Sequence, residues 1–490
     1  MPRINRALGL LCLLLFFCPS TQIKADKKIY LLSDIHVMAP TLLDSSNNAA
    51  WQRDLANQRK MQDLSIPIFD QLIERIIADK PDLLLINGDL TKDGEYESHE
   101  YVIKKLTDVK NAGIRVFVIP GNHDRGWMEE ARIYAKDTFT IAESYTEKMF
   151  REAYRDFGYG EGSIVHEHSL SYVTELFPGL TLIGIDTGNM AQVGEEIINW
   201  ACRKAGEARD NGQQVIVMAH HSLIPHIYGQ EAVMIYSVID TNEQLRDGLM
   251  AAGVKVVLTG HYHITDNTRY KNSEGQEIYD IATGSPISYP CDYRILTFDD
   301  QFKQLKISTK SITTLDGYDD FPSYAKSRLQ DAFLSWAYNW MKERTTRKGI
   351  TSLLSRSIAD VFIIHAEGNE PRNPASMDAN ALYDDMLFFA KFIEEEDVTN
   401  QVTKISLSMK SALGDYPSAE EQDNVVDDHE LTIMMPILPT GIRSIQDQDD
   451  KDTPWYNLQG LRLKEKPSRP GIYIHKGEKK SPSLRTAPES

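Results

Sequence analysis

Short, almost entirely apolar runs recur through the first 260 positions of the chain. Each run holds four to six residues, is rich in β-branched side chains, and does not alternate with polar residues. Such runs are typical of strands that are buried on both faces of a sheet. The predicted strands are Ile29–Leu32, Leu83–Ile86, Val116–Ile119, Leu180–Ile185, Val215–Met218 and Val254–Leu258.

Between these runs, apolar residues recur at helical spacing. One stripe runs from Ile68 to Ile77, with Pro81 just beyond it. Thr241 and Gln244 have the spacing of a capping box and predict the start of another helix. Because strands alternate with helices, the pattern predicts an α/β fold with a largely parallel sheet.

The pattern changes near residue 277. Three runs, Glu277–Ala282, Tyr293–Phe298 and Gln304–Ile307, predict consecutive strands of a β-meander that closes the first domain. Helical patterns follow at Ala332–Met341 and Leu382–Ile393.

Four parts of the chain are therefore expected. After an N-terminal segment, a first domain spans residues 26–309 and a mostly helical second domain spans residues 310–435. Residues 436–490 are rich in charge, proline and serine, which predicts an extended or partly disordered tail.

The first 25 residues predict an export signal. Arg3 and Arg6 precede the apolar run Leu8–Cys18, which is too short to span a bilayer of about 30 Å. Ala25 is a small residue before the expected cut. Attachment of a lipid to Cys18 is an alternative, although the bulky Phe17 before it is unusual for such a signal, and a buried N-terminal helix is another. The chain is thus expected to be periplasmic or secreted. The alternative is an exported chain anchored by a lipid on Cys18.

The amino-acid composition limits the kinds of binding partner that the chain is expected to have. The formal net charge of −18 argues against bulk nucleic-acid binding, which needs a basic surface. It does not exclude a small phosphate substrate, because metal ions on an acidic scaffold supply local positive charge. Beyond the signal only Cys202 and Cys291 remain, either as one disulfide bridge or as two free thiols.

A cluster of polar residues comes directly after each of five predicted strands. In open α/β sheets, ligands bind beyond the carboxyl ends of the strands, so these clusters are expected to converge. Their carboxylate, imidazole and carboxamide groups suit transition metals better than Ca or Mg alone. Glycines beside them allow the backbone to approach closely. The clusters are Asp34-Ile-His36, Gly88-Asp89, Gly121-Asn-His-Asp124, His220-His221 and Gly260-His-Tyr-His263.

This ordered set resembles the calcineurin-like metallophosphoesterases over about residues 27–300. The resemblance implies a β-sandwich flanked by helices and a pair of divalent transition-metal ions, with Mn, Fe and Zn favoured. It further implies that Asp89 bridges both ions. The remaining ligands implied are Asp34, His36 and His263 for the first ion, and Asn122, His220 and His261 for the second.

The same resemblance implies that His123 protonates the leaving group or steadies the phosphoryl group, and that Asp124 orients His123. His221 is an alternative ligand to His220. From the residues alone, Asp34 is equally readable as a helix cap and Asp89 as a turn residue. His99 and His226 are expected to be solvated and to have no role.

The implied activity is hydrolysis of a phosphate ester by water activated between two cations. Purple acid phosphatases have a tyrosine where this chain has Lys92, so the chain departs from them. It is similar to secreted bacterial phosphoesterases with a helical C-terminal domain, some of which are cyclic-nucleotide phosphodiesterases. Alternatives are an extracytoplasmic phosphomonoesterase or nucleotidase, and an envelope binding protein with a degenerate site. The insertion between Val37 and Leu64 is either a substrate lid or a surface excursion.

Overall fold

The computed structural model describes residues 26–56, 58–126, 130–226, 230, 236–343, 348–368 and 427–438, with isolated residues and short strands beyond. The predicted signal, residues 1–25, lies outside the described residues. In chain order the strands are β1 (Lys27–Leu32), β2 (Leu83–Ile86), β3 (Arg115–Val118), β4 (Arg132–Ala135), β5 (Thr138–Ile141), β6 (Ser163–Val165), β7 (Tyr172–Phe177), β8 (Leu180–Ile185), β9 (Gln214–Ala219), β10 (Val256–Thr259), β11 (Asp266–Lys271), β12 (Glu277–Ala282), β13 (Asp292–Phe298), β14 (Gln304–Ser311), β15 (Glu430–Met434), β16 (Trp455–Tyr456), β17 (Arg462–Leu463), β18 (Tyr473–His475) and β19 (Glu478–Lys480). The helices are α1 (Ala49–Leu55), α2 (Ser65–Asp79), α3 (Tyr96–Asn111), α4 (Glu147–Ala153), α5 (Glu195–Asp210), α6 (Asn242–Ala251), α7 (Phe321–Lys342) and α8 (Lys348–Glu367).

Two sheets form the centre of the molecule. The first has the order β15-β14-β13-β1-β2-β3, and the second has the order β11-β12-β10-β9-β8-β7-β6. Strands β1, β2 and β3 are parallel, as are β8, β9, β10 and β12. The α/β fold class is confirmed, and every predicted apolar run lies in a strand or at its edge.

Side chains of one strand alternate between two hydrophobic cores. In β9, Ile216 and Met218 belong to the core shared with the first sheet, whereas Val215 and Val217 pack with helix α5. Both faces of this strand are therefore buried, which is why its sequence is apolar throughout.

The predicted β-meander is wrong in its first strand. Strand β12 pairs with β10 in parallel and with β11 antiparallel, so it belongs to the second sheet. Only β13 and β14 form an antiparallel hairpin, and they lie in the first sheet. Residues 283–291 connect β12 in the second sheet to β13 in the first. The apolar pattern predicts that these segments are strands, but it does not show to which sheet each strand belongs.

The capping box at Thr241 is also wrong. Helix α6 begins directly after Thr241, but the Thr241 hydroxyl donates to the carbonyl oxygen of Val193 at 2.8 Å instead of capping the helix. A tertiary hydrogen bond has replaced the local one.

Helices α7 and α8 pack on each other beyond the sheets. Their shared core includes Phe333 and Phe362, whose rings stack at 4.6 Å. The helical pattern at Ala332–Met341 lies within α7, whereas the one at Leu382–Ile393 falls, apart from residues 388 and 391, outside the described residues. Strand β15, within the range expected to be helical, pairs with β14. Strands β16 to β19 form a four-stranded sheet within the expected tail.

Two remaining features concern the chain as a whole. Cys202 and Cys291 are free thiols, so no bridge joins them. Among the helices within the described ranges, none has the length and apolarity needed to cross a membrane.

Candidate metal centre

The predicted ligands meet where five strands end. Asp34 and His36 follow β1, Asp89 follows β2, and Asn122 follows β3. The other three ligands follow β9 and β10: His220, His261 and His263. All are buried except His261 and His263, which are partly exposed.

One group of potential ligands surrounds Asp34. Atoms of Asp34, His36, Asp89 and His263 lie within 4.8 Å of one another. His263 Nε2 is 3.0 Å from His36 Nε2 and 3.3 Å from Asp34 Oδ1. This is the set expected for the first ion, with Asp89 included.

A second group surrounds His220 and shares Asp89 with the first. Atoms of Asp89, His220 and His261 again lie within 4.8 Å of one another. Asn122 Oδ1 is 3.1 Å from His220 Nε2 and 2.8 Å from His261 Nδ1. Asp89 is the only residue common to both groups in the part of the chain that the structure describes.

The donor set fits transition-metal cations. Asp34 Oδ1 is buried and has no hydrogen-bond partner among the described residues, which leaves a carboxylate lone pair for a cation. Burial lowers the pKa of His261 to about 3, so this imidazole is neutral, as a metal ligand must be. Burial opposes protonation of His220, but Asp89 raises its pKa to about 9. A metal cation next to His220 would be attracted by the same negative charge of Asp89 that favours the proton on His220.

The backbone at the site is strained. Five predicted ligands have left-handed conformations: Asp34 (φ 54°), His36 (φ 41°), Asp89 (φ 50°), His261 (φ 67°) and His263 (φ 61°). Non-glycine residues rarely adopt this conformation, and each instance costs about 1–3 kcal/mol. Such strain concentrates at functional sites, and here it falls on the residues with metal-ligand chemistry.

The neighbouring glycines are required by close packing, as expected. A Cβ atom at Gly121 would lie 2.2 Å from Asp89 Oδ1. A Cβ atom at Gly260 would lie 1.8 Å from Ser33 Oγ, whose hydroxyl donates to Asp34 Oδ2 at 2.5 Å.

The prediction that Asp124 orients His123 is wrong. Both Asp124 oxygens are occupied elsewhere: Oδ1 accepts from the Thr91 amide at 3.0 Å and Oδ2 from the Gly121 amide at 2.8 Å. Asp124 therefore holds two loops together. It is Asp93 whose Oδ1 lies 2.9 Å from His123 Nδ1.

Asp93 also affects the charge of His123. Burial and Lys60 lower the pKa of His123, but Asp89 and Asp93 outweigh them, so this pKa is raised. The sequence offered one signal for Asp93: it lies in the glycine-bounded loop that contains Asp89.

Lys60 is a second residue that the sequence did not reveal. It is buried, and its Nζ lies 3.0 Å from His36 Nδ1 and 3.2 Å from His36 Nε2. It comes from the insertion after β1 and brings a cation to the first group of ligands. Lys92, which stands where purple acid phosphatases have a tyrosine, pairs with Asp93 and, at 3.3 Å, with Asp54, neither of which is a predicted ligand.

The remaining histidines differ from their expected state. His99 and His226 are fully buried, so the prediction that they are solvated is wrong. His99 Nε2 contacts the Asp124 carbonyl oxygen at 3.0 Å, and His226 Nε2 contacts Ser222 Oγ at 2.8 Å. Of the His220–His221 pair, His220 belongs to a ligand group, and His221 Nδ1 contacts Thr187 Oγ1 at 2.6 Å.

The ligand groups open into a cavity of about 840 Å³. Asp89, His123, His261 and His263 line it where it meets the ligand groups, a part called here its metal end. Residues of helices α7 and α8 and of the insertion after β1 also line it.

Residues 27–265 match the family model described as calcineurin-like phosphoesterase. These residues form a calcineurin-like phosphoesterase domain. The predicted family, and the class of enzyme that it implies, a metal-dependent phosphoric ester hydrolase, are thereby confirmed for this domain.

Known proteins with similar sequence or structure were also found. A protein named "probable glycerophosphodiester phosphodiesterase GpdQ" from Arcobacter nitrofigilis is 28% identical over 194 residues, covering 39% of this chain and 59% of that relative. A dimetal phosphatase from Danio rerio has a TM-score of 0.41 at 11% identity and covers 59% of this chain and 96% of its own. A purple acid phosphatase from yellow lupin has a TM-score of 0.40 at 15% identity, and the match covers 61% of this chain and 53% of that protein. At these values the structural likenesses carry no functional information.

Proposed function

We propose that this chain is an exported dinuclear-metal phosphodiesterase for small phosphate esters, with cyclic nucleotides among the substrate types to be tested. The observation that carries the proposal is Asp89, whose carboxylate belongs to both groups of ligands at once. The export signal predicted at residues 1–25 supports the proposed location outside the cytoplasm.

The proposed ligands divide between two ions of Mn, Fe or Zn. Asp34, His36 and His263 would hold the first, Asn122, His220 and His261 would hold the second, and Asp89 would contribute to both sites. When bound, such a pair of ions lowers the pKa of a water molecule and offsets the charge of the phosphate.

The protein's own groups handle the leaving oxygen and the substrate's charge. His123 is the proposed proton donor, because its side chain is 19% exposed at the cavity and Asp93 fixes its Nδ1. Its Nε2 is then left to face the substrate. Lys60, which also lines the cavity, is proposed to bind a phosphate oxygen.

The named activity of the Arcobacter relative supports a diester as substrate, although the match spans only 59% of that protein. A phosphomonoesterase or nucleotidase would use the same ligands. Two intact ligand groups argue against a degenerate binding protein.

The test compares bis-p-nitrophenyl phosphate with p-nitrophenyl phosphate before chelation, after chelation and after Mn²⁺ is restored. We expect the diester to be preferred, its hydrolysis to stop on chelation and return with Mn²⁺, and Asp89→Ala to lower kcat at least about 10³-fold. A faster monoester reaction would instead support the monoesterase. Unchanged activity in Asp89→Ala would overturn the dinuclear proposal.

A further inference from the structure

The cavity is far larger than the phosphate group that its metal end would hold. At about 840 Å³ it is in the range of pockets that enclose a whole organic ligand. The remaining part of the cavity is therefore large enough to take the organic group of the ester.

One part of the cavity lining is an aromatic wall, formed by Phe333 and Trp336 of α7 and Phe362 of α8. Phe333 and Phe362 are 5% and 6% exposed and stack face to face. Trp336 is partly exposed and meets the Phe362 ring edge-on at 5.8 Å. The two buried rings thus fix the position of an indole that is still open to the cavity.

Two adjacent basic residues of the cavity lining contact the aromatic wall and the ligand groups. The Arg59 guanidinium is 5.7 Å from the centroid of the Phe333 ring, a cation–π distance. Arg59 adjoins Lys60, whose Nζ contacts His36. Lys60 thus brings positive charge to the ligand groups, and Arg59 beside it brings positive charge to the aromatic wall.

We infer that the aromatic wall is a subsite for a planar aromatic group of the substrate, a nucleobase or an aryl group, with Trp336 as the residue that sets this preference. The inference rests on the proposed function, because it assumes that the phosphate sits at the metal end. Aromatic stacking suits this role, since every planar ring offers a π face to an indole.

The test uses two phosphonates that cannot be hydrolysed, methylphosphonate and phenylphosphonate, on the full chain loaded with Mn²⁺. Calorimetry measures Kd for each. We expect phenylphosphonate to bind about tenfold more tightly than methylphosphonate, an advantage at the lower end of stacking on one aromatic side chain. Trp336→Ala should remove most of this advantage and leave the Kd of methylphosphonate within about twofold, because the metal end is untouched.

Two further variants separate recognition from folding. Trp336→Phe keeps an aromatic ring and should restore much of the phenyl preference. Tyr338→Ala removes an aromatic side chain that is 41% exposed on the same helix and does not line the cavity, so it should keep the wild-type ratio. The phosphonate analogue of AMP then separates the two aromatic sources, since tighter binding than phenylphosphonate identifies a nucleobase and weaker binding an aryl group.

Equal affinity of the wild-type chain for the two phosphonates would overturn the inference. So would a phenyl preference that survives in Trp336→Ala. If Mn²⁺ neither promotes methylphosphonate binding nor supports hydrolysis of any ester, the proposed function fails and the subsite with it.

Discussion

At the scale of single residues, His123 depends on Asp93. The substitution Asp93→Asn keeps the size of the side chain but removes the charge that favours protonated His123. We expect kcat to fall about 10- to 100-fold, part of the 10²–10⁴-fold that general acid catalysis provides. Metal content, measured by mass spectrometry, should stay at the wild-type value. The matched change Asp124→Asn should act through stability, and a larger loss of kcat there than in Asp93→Asn would contradict this assignment.

His99 makes the stability of the protein depend on pH. Burial lowers its pKa to about 3, against about 6.5 in an unfolded chain. The folded protein thus keeps His99 neutral, while the unfolded chain takes up a proton as the pH falls below 6.5. Between pH 7 and pH 5 this difference lowers the free energy of unfolding by about 2 kcal/mol.

Urea denaturation of the wild type and of His99→Gln at both pH values checks this prediction. The neutral amide cannot gain a proton, so the variant should lose about 2 kcal/mol less than the wild type on acidification. Equal losses in the two proteins would mean that His99 is not the source, whatever the cost of the substitution at pH 7.

At the scale of elements, the loop after β3 fixes the shared carboxylate through Gly121. In Gly121→Ala the new Cβ would lie 2.2 Å from Asp89 Oδ1, so the loop or the carboxylate must shift. A displacement of about 1 Å at a reacting centre can cost about 10²-fold in rate. We expect a loss of this size, with fewer than two metal ions retained per chain.

The matched control is Gly206→Ala in helix α5. A Cβ atom there meets nothing within 4 Å, so activity should be unchanged and the helix slightly stabilised. Wild-type metal content in Gly121→Ala would show that the loop gives way without moving Asp89.

The elements around the site differ in how far the sequence revealed them. The parallel strands were predictable because burial on both faces makes their sequences apolar throughout, and the ligands that follow them were predictable with them. The sheet to which β12 belongs was not, because pairing is decided by a crossing between sheets. The role of Asp93 was not predictable either. Asp93 and Asp124 are both candidates to bind His123, and only the tertiary structure shows which carboxylate contacts the imidazole.

At the scale of the whole molecule, the first sheet is completed from the far end of the chain. Strands β14 and β15 are adjacent, yet α7 and α8 lie between them in sequence. The helices that line the cavity are thus preceded and followed in sequence by neighbouring strands of the first sheet.

Arg294 links the residues just before β15 to both sheets. It is fully buried, and it donates to the carbonyl oxygens of Asp428 and, at 2.6 Å, Ala282. Its other acceptors include Thr309 Oγ1 at 2.7 Å. Substitution Arg294→Met fills the space but leaves these buried acceptors without a donor, so we expect a loss of about 3 kcal/mol or more in the free energy of unfolding.

Two shortened chains test the same connection from the other side. A chain that ends at residue 438 keeps Asp428 and β15, and the four described strands that it loses, β16 to β19, form a sheet of their own. It should melt at the wild-type temperature and hydrolyse the diester at the wild-type rate. A chain that ends at residue 426 lacks the Asp428 acceptor and the edge strand, and its melting temperature should fall by roughly 3–5 °C for a loss of about 3 kcal/mol. If Arg294→Met lowers the melting temperature of this shorter chain as much as that of the full one, the arginine stabilises the sheets without help from the C-terminal strand, and the closure of the fold lies elsewhere.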